Sequence, residues 1–115
     1  MKSLLPVLQP LCCRPDLPAM EPQAAENLAA VFKALADPTR VAIVSRLASG
    51  ESCCVCDLTG TFKLSQPTVS HHLRILREAG LVEAERRGTF AYYWLVPEAI
   101  ERLQGVFEPA ALVPA

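Results

Sequence analysis

Sulfur is where this chain could do chemistry. Cys12-Cys13 stand near the start and Cys53-Cys54-Val55-Cys56 near the middle, so the five cysteines form two tight clusters. Purely structural cysteines tend instead to be scattered through a core. The odd count and a sequence of cytoplasmic character argue against a disulfide framework. Thiolates are soft ligands that select thiophilic ions over Mg, Ca or Mn. Cys12 and Cys13 plus one sulfur from the middle cluster make a three-sulfur site suited to As(III) or Sb(III). Two plus two make a tetrahedral site suited to Cd(II), Pb(II) or Zn(II). A helix beginning at Cys53 would place Cys53 and Cys54 at its N-terminus, where the dipole lowers a thiol pKa. On a regular helix Cys54 and Cys56 are about 200° apart and Cys53 and Cys56 about 60° apart. Either the first turn is distorted or Cys53 takes the place of Cys54.

A second set of residues has the chemistry of nucleic-acid contact. Gln66, Thr68, Ser70, His71 and Arg74 present donors and acceptors of a reach suited to base edges and phosphates. Arg86 and Arg87 follow at the tip of a β-prone hairpin, suited to phosphate or minor-groove contacts. Between 63 and 87 five basic side chains (Lys63, Arg74, Arg77, Arg86, Arg87) face three acidic ones (Glu78, Glu83, Glu85). The whole chain nevertheless has net charge −1, so any basic surface is confined to one end. Consecutive His71 and His72 point about 100° apart on a helix, which suits separate roles better than one shared ion.

These residues need elements to hold them. Val69, Leu73 and Leu76 recur at i, i+4, i+7, the inward stripe of an amphipathic helix over 64–80. Ser65 is its N-cap, Pro67 suits its first turn and Gly80 stops it. Val55, Leu58 and Phe62 mark a shorter helix, roughly 53–61 with Ser52 as cap, ending near Gly60–Lys63. Two helices thus meet across a tight turn. Leu81–Arg87 and Thr89–Val96 around Gly88 form the hairpin. Upstream, Glu21–Ala36 is a helix with Ala24, Leu28, Val31, Phe32 and Leu35 on one face. Asp37-Pro38 opens another through Ala48, with Val41, Val44, Leu47 and Ala48 apolar, and Gly50 ends it. Pro97–Phe107 turns Ile100, Leu103 and Phe107 inward.

The layout is mainly α with a β-hairpin wing: a winged helix–turn–helix of five helices over 21–107. It is preceded by a Pro-rich flexible arm (1–20) carrying Cys12 and Cys13 and followed by a tail (108–115). The first and last helices keep apolar faces once the core is closed, which suits a dimer seam. At 115 residues one domain is expected, with no apolar run near the roughly 20 residues that span a bilayer. We expect a soluble, cytoplasmic protein. No phosphate loop, no Cys-x-x-Cys on a βαβ unit and no base–nucleophile pair support an enzyme.

Phe32–Leu95 resembles the arsenical-resistance/metallothionein-repressor (ArsR/SmtB) family of winged-helix metal-sensing repressors. The resemblance rests on LADPTRVAIVSRL (35–47), CVCDL (54–58), LSQPTVSHHLRILREAGLV (64–82) and RRGTFAYYWL (86–95). It implies a homodimeric repressor bound to double-stranded operator DNA that departs when an inducer binds. CVCDL corresponds to the family's thiolate box, which carries ligand roles onto Cys54 and Cys56. Some arsenic sensors place a third Cys where this chain has Thr59. Other members draw ligands from the arm, as Cys12 and Cys13 would allow. The family's second type of site, with His and carboxylates on the last helix, finds no His in Pro97–Phe107. Adjacent cysteines in an arm resemble the arsenite sensors, so As(III) or Sb(III) is the expected inducer. The alternatives are a Cd-, Pb- or Zn-responsive repressor and a repressor switched by thiol oxidation.

Overall fold

The computed structural model describes residues 20–106. The arm cysteines Cys12 and Cys13, Phe107 and the tail lie outside the described residues. Prolines and capping side chains open four of the five helices. These are α1 (Pro22–Ala34), α2 (Pro38–Leu47), α4 (Gln66–Glu78) and α5 (Pro97–Val106), while α3 (Val55–Phe62) starts differently. Asp37 caps α2, its carboxylate accepting from Thr39 N at 2.9 Å and Arg40 N at 3.1 Å. Ser65 caps α4 by accepting from Thr68 N, and Gly80 at φ +81° follows the C-cap Ala79.

Val69, Leu73 and Leu76 on the inner stripe of α4 are fully buried. They pack with Ile43 and Leu47 of α2, Leu58 of α3, and Leu81 and Val82 beyond the turn. Burying side chains of this kind contributes about 1.5–3 kcal/mol each. The inward face of α2 differs from the expected one: Ile43 and Leu47 are buried, whereas Val41 is half exposed. The helix rests on α4 and the sheet along its Ile43–Leu47 side, leaving Val41 on the outside. In α1 only Ala34 is buried, and Phe32 stays exposed.

The hairpin pairs β2 (Val82–Arg87) with β3 (Phe90–Leu95), Arg87 opposite Phe90 across a two-residue turn. Gly88 stands there at φ +66°, the region a tight hairpin turn needs. A third strand was not legible in the sequence. Cys53–Cys54 form β1, antiparallel to β3 with Cys53 opposite Tyr93 and Cys54 opposite Tyr92, in the order β1-β3-β2. The expected helix from residue 53 therefore starts two residues later, because the free edge of β3 holds Cys53 and Cys54 extended. The cap of α3 is consequently Cys54 rather than Ser52.

The cap at Asp37 generates a pH-dependent expectation. Its backbone bond from Arg40 holds the carboxyl below the ordinary 3.8. The cap therefore stabilises the fold fully above that ordinary value and weakens as pH falls through the lowered folded one. Asp37→Ala is expected to lower the thermal midpoint at neutral pH, and the gap from wild type should close in strong acid. Thermal melts across pH 2–7 check this. Asp37→Asn, which caps without a charge, should melt closer to wild type at neutral pH.

Candidate metal and nucleic-acid site

Cys54 is extended (φ −86°, ψ 165°), so its side chain does not follow the helical rotation of α3. It folds back over the first turn and meets Cys56, the second helical residue. The two are joined as a disulfide, with Cα atoms 5.3 Å apart. The expected obstacle of two sulfurs on opposite sides of a helix is thus removed, because only one of them is on the helix. The expectation of no disulfide is corrected by the same geometry, since the Cα separation falls in the normal bridging range. Asp57 completes a reciprocal cap. Its N–H donates to Cys54 Sγ at 3.4 Å, and its Oδ2 accepts from Cys54 N at 3.3 Å. Both sulfurs and a carboxylate oxygen of Asp57 lie within 4.8 Å of one another. The role of Asp57 was missed in the sequence, although its place three residues after the cap has capping-box spacing.

Cys53 is set apart from this group. The alternation of the strand turns it to the core, where it is buried and unbridged. Burial pushes its thiol above the usual range, against the partial opposition of Arg46; Asp57 and Glu51 push the same way as burial. The dipole argument for a lowered thiol at Cys53 therefore fails, because the residue sits in the sheet and not in the helix. Cys54 is buried and Cys56 exposed.

Along α4, Gln66, His71 and Arg74 are exposed, with Thr68 and Ser70 half-buried. The Thr68 hydroxyl lies 2.8 Å from that of Ser65. Arg74 Nη2 donates to His71 Nδ1 at 3.2 Å, since a guanidinium can only donate. His72 faces inward: Arg40 Nη1 donates to its Nδ1 at 3.1 Å while Arg40 Nε donates to Ala34 O at 2.6 Å. One side chain of α2 thus links the end of α1 to the middle of α4. The separation of Arg40 and His72 in sequence left no local signal of it.

The two wing arginines part company because successive strand residues point to opposite faces. Arg86 shares a cleft of about 400 Å³ with Gln66 and Ser70 of α4 and with Cys56 and Thr59 of α3. Arg87 lies on the other face, 3.3 Å from Glu85 Oε1 and with its guanidinium 4.7 Å from the Tyr92 ring centroid.

A helix–turn–helix whose second helix presents a polar outer face, followed by a basic hairpin, defines a winged helix–turn–helix DNA-binding domain. Comparison with known proteins narrows the class. Residues 37–84 match the family described as bacterial regulatory protein, arsR family. An uncharacterized HTH-type transcriptional regulator of Methanocaldococcus jannaschii is 44% identical over 78 residues, 68% of this chain and 88% of that protein. The arsenical resistance operon repressor of Bacillus subtilis is 44% identical over 72 residues, covering 63% of this chain and 69% of the repressor. A cadmium resistance transcriptional regulatory protein homolog of Staphylococcus aureus is 40% identical over 77 residues, 67% of this chain; the match spans 64% of that protein's own length. Among solved structures, the homodimeric winged helix–turn–helix DNA-binding domain of a possible ArsR-family regulator from Mycobacterium bovis superposes with TM-score 0.64 at 33% identity. That alignment covers 78% of this chain and 84% of the other. The chain belongs to the arsR family of bacterial regulatory proteins, which are DNA-binding transcription regulators and not enzymes. Among the described residues no helix is long and apolar enough to cross a membrane.

The unequal settings of the cysteines predict unequal reactivity. After reduction and brief treatment of the native protein with iodoacetamide, Cys56 is expected to be alkylated well before Cys53. Peptide mass mapping reads the order, and Cys53 should react at a comparable rate only once the protein is unfolded.

Proposed function

We propose that the chain is a homodimeric repressor that leaves its operator when a trivalent arsenic or antimony species is captured by three thiols, those of Cys54 and Cys56 together with one from the Cys12-Cys13 pair. One observation carries the reading: the sulfurs of Cys54 and Cys56 meet at the start of the first helix of the DNA-binding pair. An ion gathered there acts on the helix that braces α4. The arsenical resistance repressor among the relatives supports the choice of arsenic. Cys53, buried in the core, is assigned no more than a supporting place beside the site.

The dimer seam is assigned to α1 and α5. Ala24, Leu28 and Val31 of α1 line a groove with Ala99 and Val106 of α5, and Phe32 and Val106 stay exposed. The homodimeric Mycobacterium bovis neighbour supports that assembly. Gln66, Thr68, Ser70, His71 and Arg74 are assigned to bases and phosphates of the operator, with Arg86 reaching the backbone beside them. Arg87, braced by Glu85 and Tyr92, is assigned a lesser contact at the wing's far face.

Two further readings have their own support. The disulfide between Cys54 and Cys56 favours a repressor switched by oxidation. The cadmium-resistance relative favours a Cd(II), Pb(II) or Zn(II) sensor using both pairs of thiols. An operator gel shift titrated with arsenite, Cd(II) and a thiol oxidant separates the three. Release by arsenite under reducing conditions, lost in Cys54→Ser and Cys56→Ser, is the expected result. Release by oxidant alone, reversed by reductant, would overturn it in favour of the redox reading.

The wing arginines are tested in the same assay. Arg86→Ala is expected to weaken binding to all sequences and reduce the salt slope by about one, with a smaller effect for Arg87→Ala. Equal losses in both variants would remove the distinction between the two faces.

A further inference from the structure

The wing carries two arginines, yet neither occupies its tip. Arg86 is turned into the cleft it shares with α4. Arg87 and Phe90 form the last cross-strand pair before the turn at Gly88-Thr89. The Arg87 guanidinium folds back from there, 3.3 Å from Glu85 Oε1 and 4.7 Å from the Tyr92 ring centroid. Glu85 and Tyr92 are themselves paired, one step down the same face of the hairpin. The side chains left at the tip are therefore those of Thr89 and Phe90. Gly88 adds no bulk, and the space a side chain would take there is open, so the tip is slim.

Phe90 is half exposed. Tyr93, Leu95 and Val96 further along the chain pack against the core, and among the described residues Phe90 lies outside that cluster. An isolated exposed apolar side chain is ordinary; the setting of this one is not. Thr89 and Phe90 line the same cleft of about 400 Å³ as Gln66 and Ser70 of α4, so the cleft runs from the reading helix to the wing tip. Its walls are mixed, with Arg86 and Ser70 suited to a phosphate and Ala91 and Phe90 suited to a deoxyribose. One sugar–phosphate strand has that alternation. With α4 in the major groove on one side of such a strand, the tip emerges on the other, at a minor groove about 6 Å wide.

We propose that Phe90 is an apolar wedge which the wing sets into the minor groove, selecting the base step beneath it by deformability. The proposal rests on the assignment of α4 and Arg86 to operator DNA and adds to it a residue and a rule of selection. Apolar side chains entering from the minor groove part neighbouring base pairs and kink the duplex. The cost of that distortion depends on the step: pyrimidine–purine steps such as TA unstack easily, whereas A-tracts are stiff. Hydrogen-bond groups in the minor groove cannot tell A·T from T·A, so a wedge supplies discrimination that a polar side chain there could not. Phe90 thus extends selection to base pairs flanking those that α4 contacts. Its ring carries no charge and displaces no counterion, so this contribution leaves the salt slope unchanged.

The test uses the full chain under reducing conditions and a duplex selected from a random pool by the wild-type protein. Each step flanking the selected core is varied among TA, AA and GC, and affinity is read by fluorescence anisotropy. At the step beneath the wing, wild type is expected to favour TA over AA by about tenfold. A 2-aminopurine placed there should brighten on binding as the bases part. Phe90→Ala should reduce the preference to within about twofold and lose the brightening. It should keep the wild-type preferences within the core, the salt slope and the thermal midpoint. Phe90→Leu, still an apolar wedge, should fall between the two. If Phe90→Ala keeps the ranking of steps and the 2-aminopurine signal, or loses affinity equally for every step, the wedge is overturned and the assignment of α4 stands. If wild type selects no sequence from the pool, the assignment of α4 to DNA falls and the wedge with it.

Discussion

Everything on the surface of this domain depends on the complete burial of three side chains, Val69, Leu73 and Leu76. They hold α4 against α2, α3 and the start of the wing, so the rotation of that helix about its axis is not free. Gln66, His71 and Arg74 are outward because those three are inward. The cleft shared with Arg86 exists because the same core also fixes where β2 leaves the helix pair. A polar substitution in the stripe would cost folding energy and would also lose the aim of the reading face.

The cysteine site depends on a smaller constraint. β1 is only two residues long, but its pairing with Tyr92 and Tyr93 keeps Cys54 out of the helix. Cys54 can then cap α3 with its sulfur and still reach Cys56. Had the helix begun two residues earlier, the box would have presented its sulfurs to opposite sides. The backbone N–H of Asp57 donates to Cys54 Sγ, and neighbouring Cys53 is withdrawn into the core. Three different settings, buried for Cys53, capping for Cys54 and exposed for Cys56, thus follow from the chain's change from strand to helix at this point.

Much of the frame could be read from sequence because it is announced locally. Ser65, Pro67 and Gly80 delimit the recognition helix, Asp37-Pro38 opens α2, and Gly88 marks the hairpin, each by its own backbone chemistry. What could not be read is tertiary. Two extended cysteines carry no periodicity that would reveal β1. The inward side of α2 was misjudged because Val41 and Ile43 are both apolar, and only the partner surface chooses between them. Arg86 and Arg87 are neighbours in sequence and divided by the pleat of the strand. That division was in principle available from the register a two-residue turn at Gly88-Thr89 imposes.

Arg40 joins distant parts of the frame in a manner with mechanical content. A guanidinium is a rigid planar fork, so its two bonds, to the last turn of α1 and to His72 on α4, cannot be redirected independently. A tilt of α1 that carries Ala34 away must either drag the guanidinium or break one of its bonds. The corner between α1 and α2 therefore behaves as a stiff strut between whatever surface rests on α1 and the helix that faces the groove of DNA.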